Sequence, residues 1–308
     1  MKNDLNYLKQ DDNKYHGIYR GVVEDRNDPE KLGRCKIRVI GIHDILNTKN
    51  QQEGILTKEL PWAEAAMGLL EGSISGFGLW SVPLQGSHVF LFFENGNMMQ
   101  PRYFATAPGK PELKSNIKEG FNDPDGVYPL EDKLKVSDFH RLARAEKLEK
   151  TNVQHKNDNL DKTINTAVGN QWDEPQSYYN ATYPDNIVLA THTGISIELD
   201  TTPNKQRIHV YHPSNTYIEI DVDGNMIIRN ANNRFDIIDK NEKKHVKEER
   251  NATVSGDEIE LVEGNKTSKV DINKTETVLG DRKRTVNGAE TVNISSTQTI
   301  TASTIYLN

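Results

Sequence analysis

The chain has 308 residues, of which 35% are hydrophobic and 27% are charged, and its formal net charge is -7. This length allows two domains, but a mean hydropathy of -0.72 is too polar for one large hydrophobic core. The chain is also too patterned for a disordered protein. The acidic balance argues against a protein that holds nucleic acid, because neutralising phosphate needs clustered lysine and arginine. These properties favour an elongated or oligomeric protein.

The single cysteine and the short apolar runs narrow the class further. Cys35 is the only cysteine, which excludes an intrachain disulfide and favours a packing role in a strand. The first 14 residues are polar, and the strongest apolar run, Val89–Phe93, is too short to span a bilayer. We therefore expect a protein made in soluble form in the cytoplasm.

The segment 34–42 carries the clearest strand pattern in the first third of the chain. Cys35, Ile37 and Val39 alternate with basic residues, which predicts a strand buried on one face only. Further strands, separated by turn residues, are predicted at 17–24, 73–82, 87–94 and 98–106. Five short strands predict a small Greek-key barrel over residues 1–108, such as an OB-fold. From the spacing alone, an SH3-like barrel fits nearly as well.

Aromatic residues of this barrel are interpreted as core or packing residues rather than as a platform on which bases stack. They are Tyr19, Phe77, Trp80, Phe90, Phe92, Phe93 and Tyr103. A nucleic-acid partner is therefore not expected, although barrels of this kind often bind one, because a fold alone does not fix function.

Residues 109–185 change in character and are interpreted as an extended linker. Prolines are spaced among polar residues, and few apolar side chains are available for burial. Within the linker, residues 137–151 have the pattern of a short amphipathic helix capped by Ser137, with Phe139, Leu142 and Leu148 on one side. A solvated helix that lies on a neighbouring element is the favoured interpretation.

From residue 186 the apolar residues recur with a period of two, which predicts antiparallel strands over 186–240. They are Ile195, Ile197, Leu199, Ile208, Val210, Ile218, Ile220, Val222, Met226 and Ile228. An Asp223-Gly224 turn separates the last two predicted strands. We expect this region to open the repeat that follows it.

Residues 241–308 contain an eight-residue repeat, and a fixed short period is strong evidence for a repeat fold. A branched aliphatic residue, here called the anchor, recurs at every eighth position. The anchors are Val246, Val254, Val262, Val270, Val278, Val286 and Ile294. Glycine follows two positions after four of them, at Gly256, Gly264, Gly280 and Gly288. Glycine allows the positive φ or the close backbone approach of a corner.

The octad predicts one strand and one corner in each unit. A coiled coil is excluded, because glycine and β-branched residues form helices poorly and no second apolar stripe is present. One chain with one anchor per unit buries too little to offset ordering costs of about 1–2 kcal/mol per residue. Three chains wound about one axis supply the missing contacts and leave few open strand edges. The sequence therefore predicts a homotrimeric, intertwined β-helix shaped as a triangular prism, with the anchors on its axis.

Several motifs resemble the central spike, or cell-puncturing, protein of T-even-type contractile phages. They lie at 21–34 and 39–43, at Leu60-Pro61-Trp62, at 119–124 and at 211–217, and the octads belong to the same resemblance. The resemblance implies that the OB-fold docks on a ring-shaped baseplate hub protein. It also implies a virion protein whose shaft punctures the host outer membrane when the tail sheath contracts. A spike or effector carrier of a related contractile secretion system is the alternative. The short segment ahead of residue 15 favours the phage interpretation, because the secretion-system version usually carries a large hub domain there.

No catalytic, metal or cofactor site is predicted. The resembling phage protein carries a muramidase domain between its barrel and its shaft, and residues 158–175 show no such insertion. Glycoside hydrolysis needs two carboxyl groups held across a bond by a folded cleft, which Glu146, Glu149 and Asp161 lack. His209 and His212 are three residues apart in a predicted strand, so they should face opposite sides.

The last octads change pattern, and we expect a partner protein to cover them. Ile300, Ile305 and Leu307 would expose apolar surface from three chains at a blunt end. Residues 295–308 contain no histidine for the apical metal found in some one-piece spikes. A separate PAAR-type tip protein is therefore the expected partner at these residues.

Overall fold

The structure, a computed structural model, describes residues 14–43, 55–68, 79–110, 135–146 and 160–305. Its regular elements within these ranges are β-strands, apart from single 3₁₀ turns at Thr57–Glu59 and Glu94–Gly96. The chain divides into two units, one ending at Thr253 and the other beginning at Val254. In the described part of the chain, no helix is long and apolar enough to cross a bilayer. The all-β prediction is confirmed.

Five strands form a closed barrel in the order β1-β2-β3-β5-β4. They are β1 (Tyr19–Asp25), β2 (Cys35–Val39), β3 (Trp62–Ala65), β4 (His88–Phe93) and β5 (Pro101–Thr106). The pairs are antiparallel except for β3 with β5, which run parallel, and β4 returns to pair with β1. This five-stranded Greek-key closure is that of an OB-fold, so the OB prediction is confirmed over the SH3-like alternative.

The barrel core consists of nine buried residues, all contributed by its five strands. They are Val23, Cys35, Ile37, Val39, Ala63, Val89, Leu91, Phe93 and Tyr103. Gly21 in β1 lies where two neighbours approach closely, because a Cβ added there would collide with the Ile37 side chain and lie 2.9 Å from the Arg38 carbonyl oxygen. Only glycine fits this crossing without moving the backbone of β2.

Two of the strand predictions for the barrel are wrong. Residues 79–82 are not a strand, and residues 73–78 lie outside the described ranges; β3 lies at Trp62–Ala65 instead. The second error concerns β2, which is buried on both faces rather than on one. Its basic side chains face a loop that covers the barrel, and Arg38 is 1% exposed because Glu24 neutralises it there.

The linker contains turns and one small hairpin in its described part. The helix predicted over 137–151 is not formed within 135–146, and residues 147–151 lie outside the described ranges. Ala145 takes a positive φ of 53°, which ends any helical run. Leu142 is buried as predicted, whereas Phe139 is 47% exposed and Leu148 is not described. A two-stranded ribbon follows, made of β6 (Ile164–Asn165) and β7 (Gln171–Trp172).

The next element is a five-stranded antiparallel meander with the order β12-β11-β10-β9-β8. Its strands are β8 (Asn186–Ala190), β9 (Ser196–Asp200), β10 (Arg207–His212), β11 (Thr216–Ile220) and β12 (Met226–Arg229). Burial alternates strictly along β9 and β10, so the two faces of this sheet differ in their surroundings.

Residues 230–305 form no strand within a single chain, and every one of them is exposed. The backbone instead runs in extended stretches that are interrupted by two-residue bends. The bends recur every eight residues, at 239–240, 247–248, 255–256, 263–264, 271–272, 279–280, 287–288 and 295–296. The period read from the sequence therefore reappears in the backbone.

Candidate trimer interface

The sheet β8–β12 presents an apolar face that no described residue covers. Eight aliphatic side chains on this face are between 39% and 61% exposed. They are Ile187, Leu189, Ile197, Leu199, Ile208, Val210, Ile218 and Ile228. One row of cross-strand partners runs across the sheet from Leu189 through Val210 to Ile228. A contiguous apolar surface of this kind marks a protein interface; below it is called the open face.

The opposite face of the same sheet is buried and polar. Glu198, His209 and Glu219 are direct cross-strand partners in β9, β10 and β11, and their side chains are 0% exposed. Arg207 lies one row away and is equally buried. A soluble sheet normally buries its apolar face and exposes its polar one. The reversed arrangement indicates that the open face is completed by other chains.

Residues 174–182, here called the strap, cross this polar face. The backbone N–H of Tyr178 donates to Glu219 Oε1 at 2.8 Å, and the Ser177 hydroxyl donates to Glu219 Oε2 at 2.9 Å. At its two ends the strap is held by an ion pair of 2.6 Å between Glu174 and Arg229, and by the Thr182 N–H, which donates to the hydroxyl of Thr202 at 2.9 Å. The strap therefore covers the sheet mainly through hydrogen bonds.

The described turn segment 135–146 joins the barrel exit to the sheet. Two hydrogen bonds join Asp138 and Gly109. The Asp138 N–H donates to the Gly109 carbonyl oxygen at 2.7 Å, and the Gly109 N–H donates to the Asp138 carboxylate at 2.9 Å. At the other end of this segment the Leu142 carbonyl accepts from Tyr179 Oη at 3.3 Å and from Asn186 Nδ2 at 3.1 Å. Leu142 itself is 2% exposed. This part of the linker is thus fixed at both ends.

The buried charges form a connected network. Arg207 donates to Glu198 at 2.5 Å and to Glu219 at 2.9 Å, and Asn186 Nδ2 donates to Glu198 at 2.9 Å. Burial raises the pKa of Glu198, but the hydrogen bond from His209 and the charge of Arg207 outweigh it, so this pKa lies below its ordinary value. Glu198 is therefore a carboxylate at neutral pH.

The seven anchors lie in one phase of the extended stretches and are 43–55% exposed in the single chain. Ile238, one octad ahead of Val246, occupies the same phase and is 52% exposed. By contrast, two leucines outside this phase are far more exposed, Leu261 at 83% and Leu279 at 99%. A single chain thus leaves the whole anchor row uncovered, and the anchors are the side chains that further chains can bury.

The repeat glycines Gly256, Gly264, Gly280 and Gly288 each form the second residue of a bend. None of them has a positive φ, and a Cβ added to any of them would meet no atom within 4 Å in the same chain. Of the two reasons for glycine at a corner, positive φ is therefore not observed. Close approach by neighbouring chains stays a prediction.

The residues expected to dock a tip protein are only partly described. Ile300 and Ile305 are 64% and 51% exposed, and Leu307 lies outside the described residues. Ala302 occupies the position where the next anchor would fall. The anchor row therefore ends at Ile294.

The aromatic residues of the barrel divide between its core and its surface. Phe93 and Tyr103 are buried and Tyr19 packs against the core, as predicted. Phe90 and Trp80 are 38% and 51% exposed and so do not lie in the core, while a packing role for them stays a prediction; Phe77 is not described. Phe104 on β5 is also exposed, and its ring contacts that of Phe92 with centroids 6.2 Å apart.

Sequence reasoning placed His209 and His212 on opposite faces, and they are: His209 is buried and His212 is exposed. It missed the buried partners of His209. The signal was present, because Glu198, His209 and Glu219 each alternate with the aliphatic residues of the open face.

An OB barrel, a sheet with an uncovered apolar face and an octad chain without internal pairing together define a protein that assembles through its C-terminal half. Comparison with known families agrees with this class. A family model described as the Gp5 N-terminal OB domain matches residues 41–186, and one described as the bacteriophage T4 gp5 C-terminal trimerisation domain matches residues 220–306.

The names of two curated relatives both contain the term Gp5. The chain is 34% identical over 268 residues to "Protein Gp5" of Vibrio phage KVP40, covering 78% of this chain and 63% of the relative. It is 39% identical over 111 residues to the "Pre-baseplate central spike protein Gp5" of Enterobacteria phage T4, covering 35% of this chain and 19% of the relative. The chain is similar to these Gp5 proteins, and it spans less than two thirds of the length of either relative.

Proposed function

We propose that this chain is the structural central spike of a contractile phage tail baseplate and acts as a homotrimer. The observation that carries the proposal is the apolar surface that one chain leaves uncovered, first on the open face and then along the anchor row. The match to a trimerisation domain over residues 220–306 supports three as the number of chains. The printed name of the T4 relative supports the place in the baseplate.

The anchor spacing explains how three chains complete one another. Each octad contains one extended stretch. Its backbone N–H and C=O groups form no β-sheet hydrogen bonds within the same chain, since residues 230–305 form no strand there. Three chains related by a threefold axis pair these stretches with one another and bury the anchors along the axis. The product is a triangular β-prism without flexible joints.

In this proposal the prism transmits force rather than performing chemistry. A joint-free shaft that is pushed along its axis by sheath contraction would pierce the host outer membrane. The barrel would dock on a ring-shaped hub protein of the baseplate, and a PAAR-type protein would cover the distal residues. The spike would be a component of the virion, made in the host cytoplasm, without catalytic function, cofactor or bound nucleic acid.

Mass in solution tests the assembly directly. Three chains of 34.9 kDa give 3 × 34.9 = 104.7 kDa, and light scattering of the purified protein should give this value. Val262→Asp should prevent assembly, because it places three carboxylates on a dry axis at a cost of several kcal/mol per chain. Leu261→Asp is the matched control, because Leu261 is adjacent to Val262 in sequence but its side chain faces away from the anchor row and is 83% exposed. A wild-type mass of 34.9 kDa, or normal assembly of the Val262 variant, would contradict the proposal.

A further inference from the structure

The imidazole of His209 lies between two carboxylates on the buried face of the sheet. Its Nδ1 is 2.7 Å from Glu198 Oε1, and its Nε2 is 3.8 Å from Glu219 Oε2. The two glutamates belong to the strands on either side of β10, and all three side chains are 0% exposed. The rings of Tyr211 and Tyr217 pack around the imidazole, with centroids 5.7 and 5.9 Å away.

This placement determines which form of the imidazole is stable. Ionised carboxylates only accept hydrogen bonds, and a neutral imidazole carries hydrogen on one ring nitrogen only. A neutral His209 would therefore direct a lone pair at a carboxylate oxygen in a buried, poorly screened environment. The imidazolium carries hydrogen on both nitrogens and is attracted to both carboxylates.

The same carboxylate that faces His209 Nε2 also holds the strap. Both oxygens of Glu219 accept from the strap, one from the Tyr178 N–H and the other from the Ser177 hydroxyl. Glu219 Oε2 also accepts from Arg207 at 2.9 Å. The charge on His209 therefore fixes the orientation of the group to which the strap is attached.

We propose that His209 is held as its cation in the folded protein and that this charge latches the strap to the sheet, so that the strap loosens as His209 loses its proton in alkaline solution. The latch joins the linker to the element that begins the trimer interface. How firmly the linker is held on the sheet therefore depends on pH as well as on packing. The latch acts within one chain.

The groups that face this cluster come from every element packed against it. They are Glu198 and Asp200 of β9, Arg207 and Tyr211 of β10, Tyr217, Glu219 and Asp221 of β11, Tyr178 and Tyr179 of the strap, and Glu146 of the turn segment. Burial raises the pKa of Tyr211, and it raises the pKa of Tyr217 to about 12. Burial raises the pKa of Tyr179 to about 12, and the pKa of Tyr178 is also raised, by burial and then by Asp221. Neither phenol therefore titrates between pH 6 and 9, where the latch is tested.

The charge state can be read without any variant that alters folding. In the wild-type trimer labelled with ¹³C at histidine Cε1, the His209 signal should have the imidazolium shift at pH 7, where a histidine of ordinary pKa is mostly neutral. In this experiment His209→Gln assigns the signal. A neutral imidazole at pH 7 would overturn the proposal, whatever the variants below do.

Hydrogen exchange of the Tyr178 amide reports the strap, because that N–H is bonded to Glu219. After correction for intrinsic exchange, its protection should be constant while His209 keeps its proton and should then fall as the pH rises, by up to about tenfold per pH unit, the limit for loss of one proton. In Glu219→Gln the side-chain oxygen can still accept from Tyr178, but the amide nitrogen replaces the oxygen that accepts from Arg207. Protection should therefore be lower than in the wild type, and it should not change when His209 loses its proton. Wild-type protection that stays constant through the pH at which the His209 ¹³C signal changes to the neutral form would overturn the proposal.

A variant without the imidazole separates the charge of His209 from other groups that titrate. His209→Gln should lower the protection of Tyr178 at neutral pH, and the remaining protection should not fall as the pH rises, because the titrating cation is gone. Amides of the β9–β10 ladder should stay protected in this variant, which shows that the sheet is intact. Protection in His209→Gln that falls with pH as steeply as in the wild type would mean that another group releases the strap.

Discussion

Within the ranges that the structure describes, ion pairs whose two side chains are at most 1% exposed occur at two places. In the barrel, Arg38 donates to Glu24 at 2.6 Å, and its other nitrogens donate to the carbonyl oxygens of His43 and Ile55. In the sheet, Arg207 joins Glu198 and Glu219. Removing charges from water costs several kcal/mol per ion, so such groups persist only where every partner is present. At both places the arginine satisfies groups from different segments and fixes them relative to one another.

Glu198 should make the sheet sensitive to acid. Its folded-state pKa is below the ordinary 4.5, so the ionised carboxylate stabilises the fold above that pH, and this stabilisation is lost as pH falls through the folded-state pKa. Glu198→Gln should flatten the fall in opening free energy of the β9 and β10 amides between pH 5 and 2.5, measured by hydrogen exchange. Glu242→Gln, at an exposed position, is the control and should keep the wild-type slope. An unchanged slope in the Glu198 variant would contradict this assignment.

At the scale of elements, β2 shows how a strand can be basic and still lie in a core. The side chain of Lys36 donates to the Lys58 carbonyl at 2.6 Å and lies 5.1 Å from the centre of the Trp62 ring. Arg38 ties β2 to Glu24 in β1 and to the loop before Thr57, whose hydroxyl donates to the same glutamate at 2.8 Å. The loop therefore covers this side of the barrel through polar contacts.

Arg38→Met should destabilise the barrel by about 3–5 kcal/mol, because it leaves Glu24 buried without its cation. Arg102→Met is the matched control: its partners Glu64 and Glu94 are 56% and 42% exposed, and exposed pairs contribute about 1 kcal/mol or less. Hydrogen exchange of the β4 and β5 amides in the full-length protein measures both effects. Equal losses in the two variants would show that the Glu24 site is open to water.

The regular elements were predictable where one physical rule dominated the local sequence. The segments of β4 and β5 are rich in aromatic and branched residues, which favour strands. The bends recur with the octad, and glycine or a polar residue occupies their second position except at Ile272. β3 was not predictable, because Trp62-Ala63-Glu64-Ala65 carries little strand propensity and is held by its neighbours β2 and β5. Tertiary pairing overrode local preference there.

The faces of the sheet β8–β12 could be assigned only in part. Alternation separates Ile208 and Val210 from Arg207 and His209, but it does not say which set faces solvent. The contacts that bury the charged set come from the strap, from which Ser177 reaches Glu219 across 42 positions of sequence. Partnerships of that range leave no periodic signal. The segment 137–151 is a second case: its pattern predicted a helix, but the positive φ of Ala145 interrupts it.

At the scale of the whole molecule, the two halves of the chain obtain stability in different ways. The barrel has its own buried core and closes without partners. Residues 230–305 have no strand pairing and no buried side chain in one chain, so the cost of ordering them, about 1–2 kcal/mol per residue, is offset only on assembly. Folding of the shaft and trimer formation should therefore be one event that depends on chain concentration.

The end of the anchor row is where the proposed prism loses its interior, and there we expect a partner. After Ile294 the next anchor position holds Ala302, while Ile300 and Ile305 remain 64% and 51% exposed. Three chains would bring these side chains together beside unpaired strand backbone, a surface that proteins normally cover. A small conical protein of the PAAR type would make threefold-related contacts with these residues and continue the shaft to a point.

Co-expression with candidate tip proteins tests this partner. The full-length trimer should capture the tip protein, and a chain truncated after Thr299 should not, because it lacks Ile300 and Ile305 while keeping all seven anchors. Ile300→Asp should weaken capture without changing the mass of the trimer, whereas Lys266→Asp, a charge change far from the end of the anchor row, should leave capture unchanged. Equal capture by the full-length and truncated chains would show that these residues do not bind the tip protein.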